Sequence, residues 1–383
     1  MYQVLIKNGT VLDPGNGLCA VADVAISDGR IAEVRAGIGE NATHVIDVRG
    51  CLVTPGLIDH HAHVWPLGKI GLPAEAVCFA SGVTTVVDAG SCGCETYRRN
   101  RPFIEQSKLT VKAYIHVCST GLDSLPEKME DVNPEHFDAG AIKELFEEYR
   151  TDLSGLKLRT SAEIVGASGY EPLRQTVALG DKLGLPVMVH CTNPPGEMSE
   201  LLSFLRPGDV MTHMYMNKGS TILDGGRVSR AAREARRRGV LFEAADARAH
   251  FSFEVCEPSV REGFYPDLLG TDLTKLSMYL RPTAFNMANQ LAKYAFLGIP
   301  EETIFALCTC SPARQMGIAD RAGSLTVGCD ADVAVFRKEE QEVTFGDRPY
   351  GDPACQLRTG SFIYRPMLTV KNGEVVFRDA ALF

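Results

Sequence analysis

The segment Pro55-Gly56-Leu57-Ile58-Asp59-His60-His61-Ala62-His63 sets three histidines within four positions, directly behind an apolar strand start. Pro-Gly punctuates the chain before the strand. Alternation along the strand puts Asp59, His61 and His63 on one face. Neutral imidazole is a preferred ligand of zinc and similar metals, so His-x-His at a strand end makes a two-point chelate. A single strand histidine is more often a hydrogen-bonded core residue, so the neighbouring strands must decide.

Downstream, short apolar strands alternate with helical stretches, the βα pattern of a parallel sheet. Eight strands are predicted: Leu57 to His63, Thr84 to Ala89, Val111 to Cys118, Gly155 to Thr160, Pro186 to His190, Asp209 to Met214, Val240 to Ala245, and Leu268 to Leu273. Helices between them include Ala139 to Tyr149, Glu171 to Leu183, Arg227 to Arg238 and Phe285 to Phe296. Eight strands with right-handed crossovers close into a (β/α)8 TIM barrel. A doubly wound open sheet is the alternative. No Gly-x-Gly-x-x-Gly follows the first barrel strand, which removes the main reason to prefer it.

The ends of the chain read differently. Val4 to Ile6, Asn8-Gly9 and Thr10 to Leu12 read as a hairpin, as do Val24 to Ile26, Asp28-Gly29 and Ile31 to Val34. Leu368 to Lys371, Asn372-Gly373 and Glu374 to Phe377 repeat the style. Asn-Gly and Asp-Gly between alternating apolar runs are the strongest short-range hairpin signals. Both termini are therefore expected to build a small β-sandwich domain, residues 1–54 with 323–383, around a barrel of residues 55–322. The 383 residues suit a barrel of roughly 250 plus such an accessory piece.

Composition narrows the function classes. Hydrophobic residues at 45% and charged residues at 23% place the chain among soluble globular proteins with a sizeable core. A net charge of −9 argues against nucleic acid as a partner, since that binding needs a basic face. No run of 18 or more apolar residues is present, so no membrane partner is expected. The start of the chain lacks the basic and apolar regions of a signal peptide. Twelve scattered cysteines then fit reduced thiols of a cytoplasmic enzyme. Two C-x-C pairs, Cys92/Cys94 and Cys308/Cys310, do not amount to a structural zinc site, which needs four closing ligands.

Chemistry-bearing residues recur at the C-terminal ends of other predicted strands: Lys157 on the fourth, His190 on the fifth, His213 on the sixth and Asp272 on the eighth. That rim is where barrel enzymes place catalytic groups. Coincidence in strand order argues against each being an ordinary core residue.

Pro-Gly-Leu-Ile-Asp-x-His-x-His, the Gly-Leu-Lys-Leu-Arg strand, the Met-Val-His and Met-Thr-His histidines and Gly-Thr-Asp-Leu together resemble the amidohydrolase superfamily in its lysine-bridged, binuclear form. Gly323-Ser324-Leu325 through Asp332-Val333 resembles the return to the terminal β-domain of these enzymes. The resemblance implies two divalent metal ions, with zinc expected. His61, His63 and Asp272 would hold one, His190 and His213 the other, and N-carboxylated Lys157 would bridge them. Burial beside metals favours the neutral lysine amine, which can capture carbon dioxide as an anionic carbamate. Such a metal pair, roughly 3.5–4 Å apart, would ionise a bridging water near neutral pH and polarise a carbonyl. Asp272 would act catalytically, taking the water's proton and returning it to the leaving group.

The similarity is closest to a subgroup often labelled dihydroorotase or adenine deaminase, whose members resemble deacetylases or esterases acting on acylated small carboxylates. Met214-Tyr215-Met216-Asn217-Lys218 and Ala247-Arg248-Ala249 depart from that subgroup's pattern on rim loops, the second where a glycine-containing turn is expected. Substrate contacts are expected from Arg159, which shares a face with Lys157 and could bind a carboxylate or form an internal salt bridge. His250, Tyr215 and Asn217 are further candidates, as is Cys92, for which a simple turn is the competing reading.

The expected activity is hydrolysis of an amide or ester in a small, anionic acylated carboxylate, by an enzyme with the base-rate tendency to form symmetric homo-oligomers. Cyclic amide hydrolysis of the dihydroorotase type is the alternative and would use identical metals. A non-catalytic relative serving protein assembly is the reading from a different class. Retention of every expected ligand position speaks against it.

Overall fold

The computed structural model of the protein describes residues 1–39, 41–122, 125, 129–279 and 285–382. Its first five strands are β1 (Tyr2–Asp13), β2 (Leu18–Ser27), β3 (Arg30–Arg35), β4 (Ala42–Asp47) and β5 (Leu52–Pro55). The chain then enters β6 (Leu57–Ala62), β7 (Val83–Ala89), β8 (Thr110–His116), β9 (Leu153–Arg159), β10 (Val187–His190) and β11 (Val210–Thr212). A two-residue pair, β12 (Leu223–Asp224) and β13 (Arg227–Val228), precedes β14 (Leu241–Ala245) and β15 (Leu268–Gly270). Two long strands, β16 (Val333–Gly346) and β17 (Leu357–Lys371), and the short β18 (Glu374–Arg378) finish the chain.

Strands β6 to β11, β14 and β15 pair in parallel in sequence order. A parallel bridge from Ala62 to Leu273 brings the last strand back to the first, which makes the sheet a barrel. All eight predicted strands are present. Every described position of β6, β7, β10, β11 and β15 is buried, as a parallel sheet covered by helices requires. Val87, Ala89, Tyr114, Met188, Val210 and Leu268 fill the barrel's inside. Helices such as Glu171–Leu183 supply the outer layer, with Leu173, Thr176 and Val177 turned inward at helical spacing. The predicted helix over 227–238 begins only at Arg230. Gly225 and Gly226, both at positive φ, turn β12 into β13 and consume its first residues, and Ser229 caps the helix by accepting the Ala232 amide.

The terminal strands join in one hydrogen-bonded sheet, ordered β18-β17-β16-β5-β1-β2-β3 with β4 beside β1. Val4 and Ile6 of β1, Val24 and Ile26 of β2, and Val333 and Leu368 of β16 and β17 share a core, so the sheet curls over itself. Asp28-Gly29 and Asn372-Gly373 are hairpin turns, with φ of 51°, 70°, 49° and 81°. Asn8-Gly9 is not. β1 runs through it as a continuous strand with a bulge, Asn8 at φ 64° and its amide bonded to Asp23. Left-handed backbone serves a bulge as readily as a turn, and the dipeptide alone does not separate the two.

Candidate functional site

The C-terminal ends of the barrel strands meet in a cleft of about 420 Å³. His61, His63, Lys157, His190 and Asp272 line it, and His213 sits buried beneath them. His63 Nε2 lies 3.1 Å and His61 Nε2 3.4 Å from Asp272 Oδ1, and His213 Nε2 lies 3.9 Å from Oδ2. Lys157 Nζ is 3.4 Å from His61 Nε2. The rings of His190 and His213 stand 4.5 Å apart.

Three of the imidazoles are oriented from behind. His61 donates from Nδ1 to Glu243 Oε2 at 2.7 Å. His213 Nδ1 donates to the Ala245 carbonyl at 2.7 Å. His63 Nδ1 meets Ser91 Oγ at 2.7 Å, and that hydroxyl donates to Asp88 Oδ2 at 2.8 Å. These partners hold the protons on Nδ1 and leave the Nε2 lone pairs turned toward the carboxylate of Asp272. Such outer partners fix ligand tautomer and raise basicity in metal sites. His213 Nε2 is buried and without a hydrogen-bond partner among the described residues.

The electrostatics suit a cation. Burial, with Lys157 nearby, pushes His61 down to about 4, and burial holds His190 and His213 well below the usual imidazole range. All three are neutral donors at pH 7. Burial works upward on Asp272, but the surrounding imidazoles, with His250 donating to Oδ2, outweigh it and hold the carboxyl well below its ordinary value. Glu243 likewise stays ionised against burial because His61 and His60 both bond it. Burial lowers Lys157 to about 8, which brings the neutral amine within reach of physiological pH. His61, His213 and Asp272 present donor atoms within 4.8 Å of one another, as do His190, His213 and His250. Three neutral imidazoles, a carboxylate and a lysine with a lowered pKa therefore fit divalent metal ions.

Two of these residues sit on strained backbone. His213 has φ 59° and Asp272 φ 51°, a region uncommon for non-glycine residues, though His and Asp enter it more readily than most. Gly90, at φ 87°, is required for a different reason: a Cβ there would stand 2.5 Å from Lys157 Cγ. The lysine stem passes directly over that backbone.

The remaining expected residues divide. Arg159 forms the internal salt bridge, pairing with buried Glu130 at 3.2 Å, while its side chain still lines the cleft. His250 reaches Asp272 Oδ2 at 2.8 Å through Nδ1 and joins the imidazole group rather than standing apart on its loop. Asn217 lines the cleft. Tyr215 does not: the positive φ at His213 redirects the chain, and the phenol is buried beside Phe251 and Tyr294 with its hydroxyl on the Phe264 carbonyl. Cys92 is also absent from the lining, buried behind the rim where the Asn100 amide donates to its sulfur. Asp59 leaves the histidine face because β6 is irregular between Asp59 and Ala62; its carboxylate accepts from Thr271 N and Oγ1. Neither C-x-C pair forms a metal group among the described residues.

Glu243 and Asp88 escaped the sequence reading. A lone carboxylate in the apolar run Leu241-Phe242-Glu243-Ala244-Ala245 was the available signal, because acidic side chains are almost never fully buried unless paired.

A parallel eight-stranded barrel with an imidazole, carboxylate and lysine cluster at its C-terminal rim defines the metal-dependent hydrolase class. Residues 52–376 match the model of the amidohydrolase family, and the chain belongs to that family and is a hydrolase. Among its relatives, a deacetylase of Agrobacterium fabrum is 32% identical over 87% of this chain and 83% of its own. A deacetylase of Enterococcus faecalis is 29% identical over 98% of this chain and 99% of its own. Crystal structures of an adenine deaminase and of a dihydroorotase each superpose with a TM-score of 0.89 at 26% identity, covering 99% of this chain and all of theirs. Among the described residues, no helix is long and apolar enough to cross a membrane.

Proposed function

We propose that this chain is a binuclear deacetylase-type hydrolase that cleaves an amide or ester in a small acylated carboxylate. The observation that carries this reading is the convergence on Asp272 of imidazoles whose Nδ1 protons are already committed elsewhere. His61, His63 and Asp272 would hold one divalent ion, His190 and His213 the second, and carboxylated Lys157 would bridge them. Neutral imidazole and carboxylate favour zinc. When bound, the ions supply a water acidified toward neutral pH and polarisation of the scissile carbonyl.

The protein's own residues do the rest. Asp272, ionised and bonded to His250 through Oδ2, accepts a proton from the attacking water and delivers it to the leaving group. Ser91 and Glu243 keep His63 and His61 in the required tautomer. Arg159, Lys218 and Arg248 line the cleft and give it a cationic wall suited to a carboxylate, and its size suits a small molecule. Asn217 lines the same cleft and can donate to a carbonyl oxygen. The hydrolase domain is taken as residues 55–322, with 1–54 and 323–383 as its accessory sheet. Twelve scattered cysteines, with no disulfide among the described residues, suit a reducing, cytoplasmic setting. A symmetric homo-oligomer accords with the commonest habit of soluble enzymes.

The test is a screen of metal-replete protein against N-acetyl and O-acetyl carboxylates beside dihydroorotate. Turnover of acyl carboxylates is expected. Turnover of dihydroorotate with no acyl compound accepted would replace this reading by the cyclic-amide one, which uses the same donors.

A further inference from the structure

His116 ends β8, one strand away from the lysine at the centre of the site. Register pairs it directly with Lys157 across β8 and β9. Partners in a parallel pair project to the same side of the sheet. Lys157 projects into the barrel, where Nζ approaches Met188 Sδ at 3.3 Å. Tyr114, two residues before His116 on β8, packs with the same Met188 inside the barrel. The imidazole of His116 is therefore an interior group at the level of the lysine, and it is fully buried.

Its two nitrogens are not equivalent. Nδ1 accepts the Cys118 amide at 3.0 Å, so the neutral ring carries its proton on Nε2. Burial keeps the ring neutral, and the cationic Arg159 and Lys157 act in the same direction. Nε2 is buried and has no hydrogen-bond partner among the described residues. A buried donor left unmade is costly, and each such group in a folded protein calls for an acceptor. Lysine as an amine or ammonium offers no anionic oxygen. As a carbamate it offers two.

We propose that His116 is a positioning residue that donates its Nε2–H to a carbamate oxygen on Lys157. This rests on the carboxylation of Lys157 put forward above. In forming that group, the Nζ lone pair attacks the carbon of CO2, an N–C bond forms, and one C–O π pair moves onto oxygen. Nζ then releases one proton to solvent base, leaving –NH–COO⁻. His116 takes no proton in this step, because Nδ1 is already occupied by the Cys118 amide. It acts only by holding the product, raising the affinity of the site for CO2 and fixing the carbamate plane.

The experiment compares wild type, His116→Phe, His116→Gln and Lys157→Ala. Each is stripped of metal, then reconstituted with zinc at graded concentrations of 13C-bicarbonate. The carbamate carbon is followed by NMR and metal per chain by elemental analysis. His116→Phe is expected to need about tenfold more bicarbonate for half-maximal carbamate, the worth of one such hydrogen bond. His116→Gln, which keeps a donor, should recover most of that difference. A wild-type protein with no carbamate signal absent from Lys157→Ala would overturn the carboxylation reading itself. A clear wild-type signal with an unchanged bicarbonate requirement in His116→Phe would overturn only the role of His116. Should the Phe variant not fold, 15N-histidine labelling of wild type decides. The Nε2–H resonance of His116, assigned by its loss in His116→Gln, should move as carbamate forms, and a stationary resonance refutes the contact.

Discussion

Glu243 holds His61 by a 2.7 Å hydrogen bond between Oε2 and Nδ1, at a point in the barrel where both side chains are sealed from solvent. Its other oxygen bonds His60, so one carboxylate orders two successive imidazoles of β6. Glu243→Gln keeps the shape but offers one acceptor and one donor where two N–H groups converge. One imidazole must then change tautomer or lose its partner. Divalent-ion affinity is expected to fall about 10–100-fold. Stability should drop by about 1–3 kcal/mol from the unmade bond. Dialysis against graded chelator measures the first and urea unfolding the second. Wild-type metal retention would show that Glu243 does not orient a ligand.

Lys157 carries the second prediction. Lys157→Ala should lose bound metal and activity together, with bicarbonate or short carboxylates restoring part of both; full activity without additive would refute the bridging role. The pH dependence of reactivation has a definite sign. Burial places the folded-state pKa at about 8, below the ordinary 10.5 of lysine, so folding favours loss of the proton. Only the neutral amine captures CO2. At fixed dissolved CO2, reactivation of metal-free protein should therefore speed up as pH rises through 8 and level off above 9. Its rate at pH 7 should be about one tenth of the plateau. A flat profile between pH 7 and 9 would contradict a rate-limiting lysine amine.

Legibility in the sequence followed from how local each signal is. His61, His63, Lys157, His190, His213 and Asp272 stand at strand ends, and strand ends can be read from apolar runs along the chain; all six come together at one rim. Glu243 and His116 gain their meaning from a neighbour on another strand, which periodicity within one strand does not encode. Tyr215 was misplaced because a left-handed φ at His213 reverses the side expected of the residues after it. Asn8-Gly9 was misread because its backbone preference fits a bulge as well as a turn. Backbone reversals and partners across strands are the two kinds of information missing from a linear reading.

Behind the rim lies a buried ion pair, Lys293 with Asp246, completed by Gln290 Nε2 at 2.8 Å and Tyr294 Oη at 2.9 Å. Asp246 also begins the turn that delivers His250, whose amide bonds the Asp246 carbonyl at 3.0 Å. Removing one partner of a buried pair strands the other's charge. Lys293→Met should cost about 3–5 kcal/mol, whereas Asp246→Asn with Lys293→Met should recover much of that loss. Thermal and urea melts of the two variants check this. Equal destabilisation by the single and double changes would mean that packing, and not the orphaned charge, dominates.

The same turn contains Ala247 at φ 45°, buried, with its amide on the Thr271 carbonyl. A glycine-containing turn is what the family resemblance implies here, and the backbone supplies the reason: the left-handed region penalises a Cβ. Strain of about 1–3 kcal/mol is available for release. Glycine returns about 0.4–1 kcal/mol of that through the entropy of the unfolded chain. Ala247→Gly should therefore stabilise the protein by about 1 kcal/mol. Ala247→Val, whose β-branch is still less compatible with positive φ, should destabilise it by more than that. Because the turn delivers His250 to Asp272, the valine variant should also lose activity, and the glycine variant should not. Urea denaturation and activity of both variants form the test. A destabilising glycine together with a neutral valine would show that Ala247 is unstrained and that the departure from glycine carries no energetic cost.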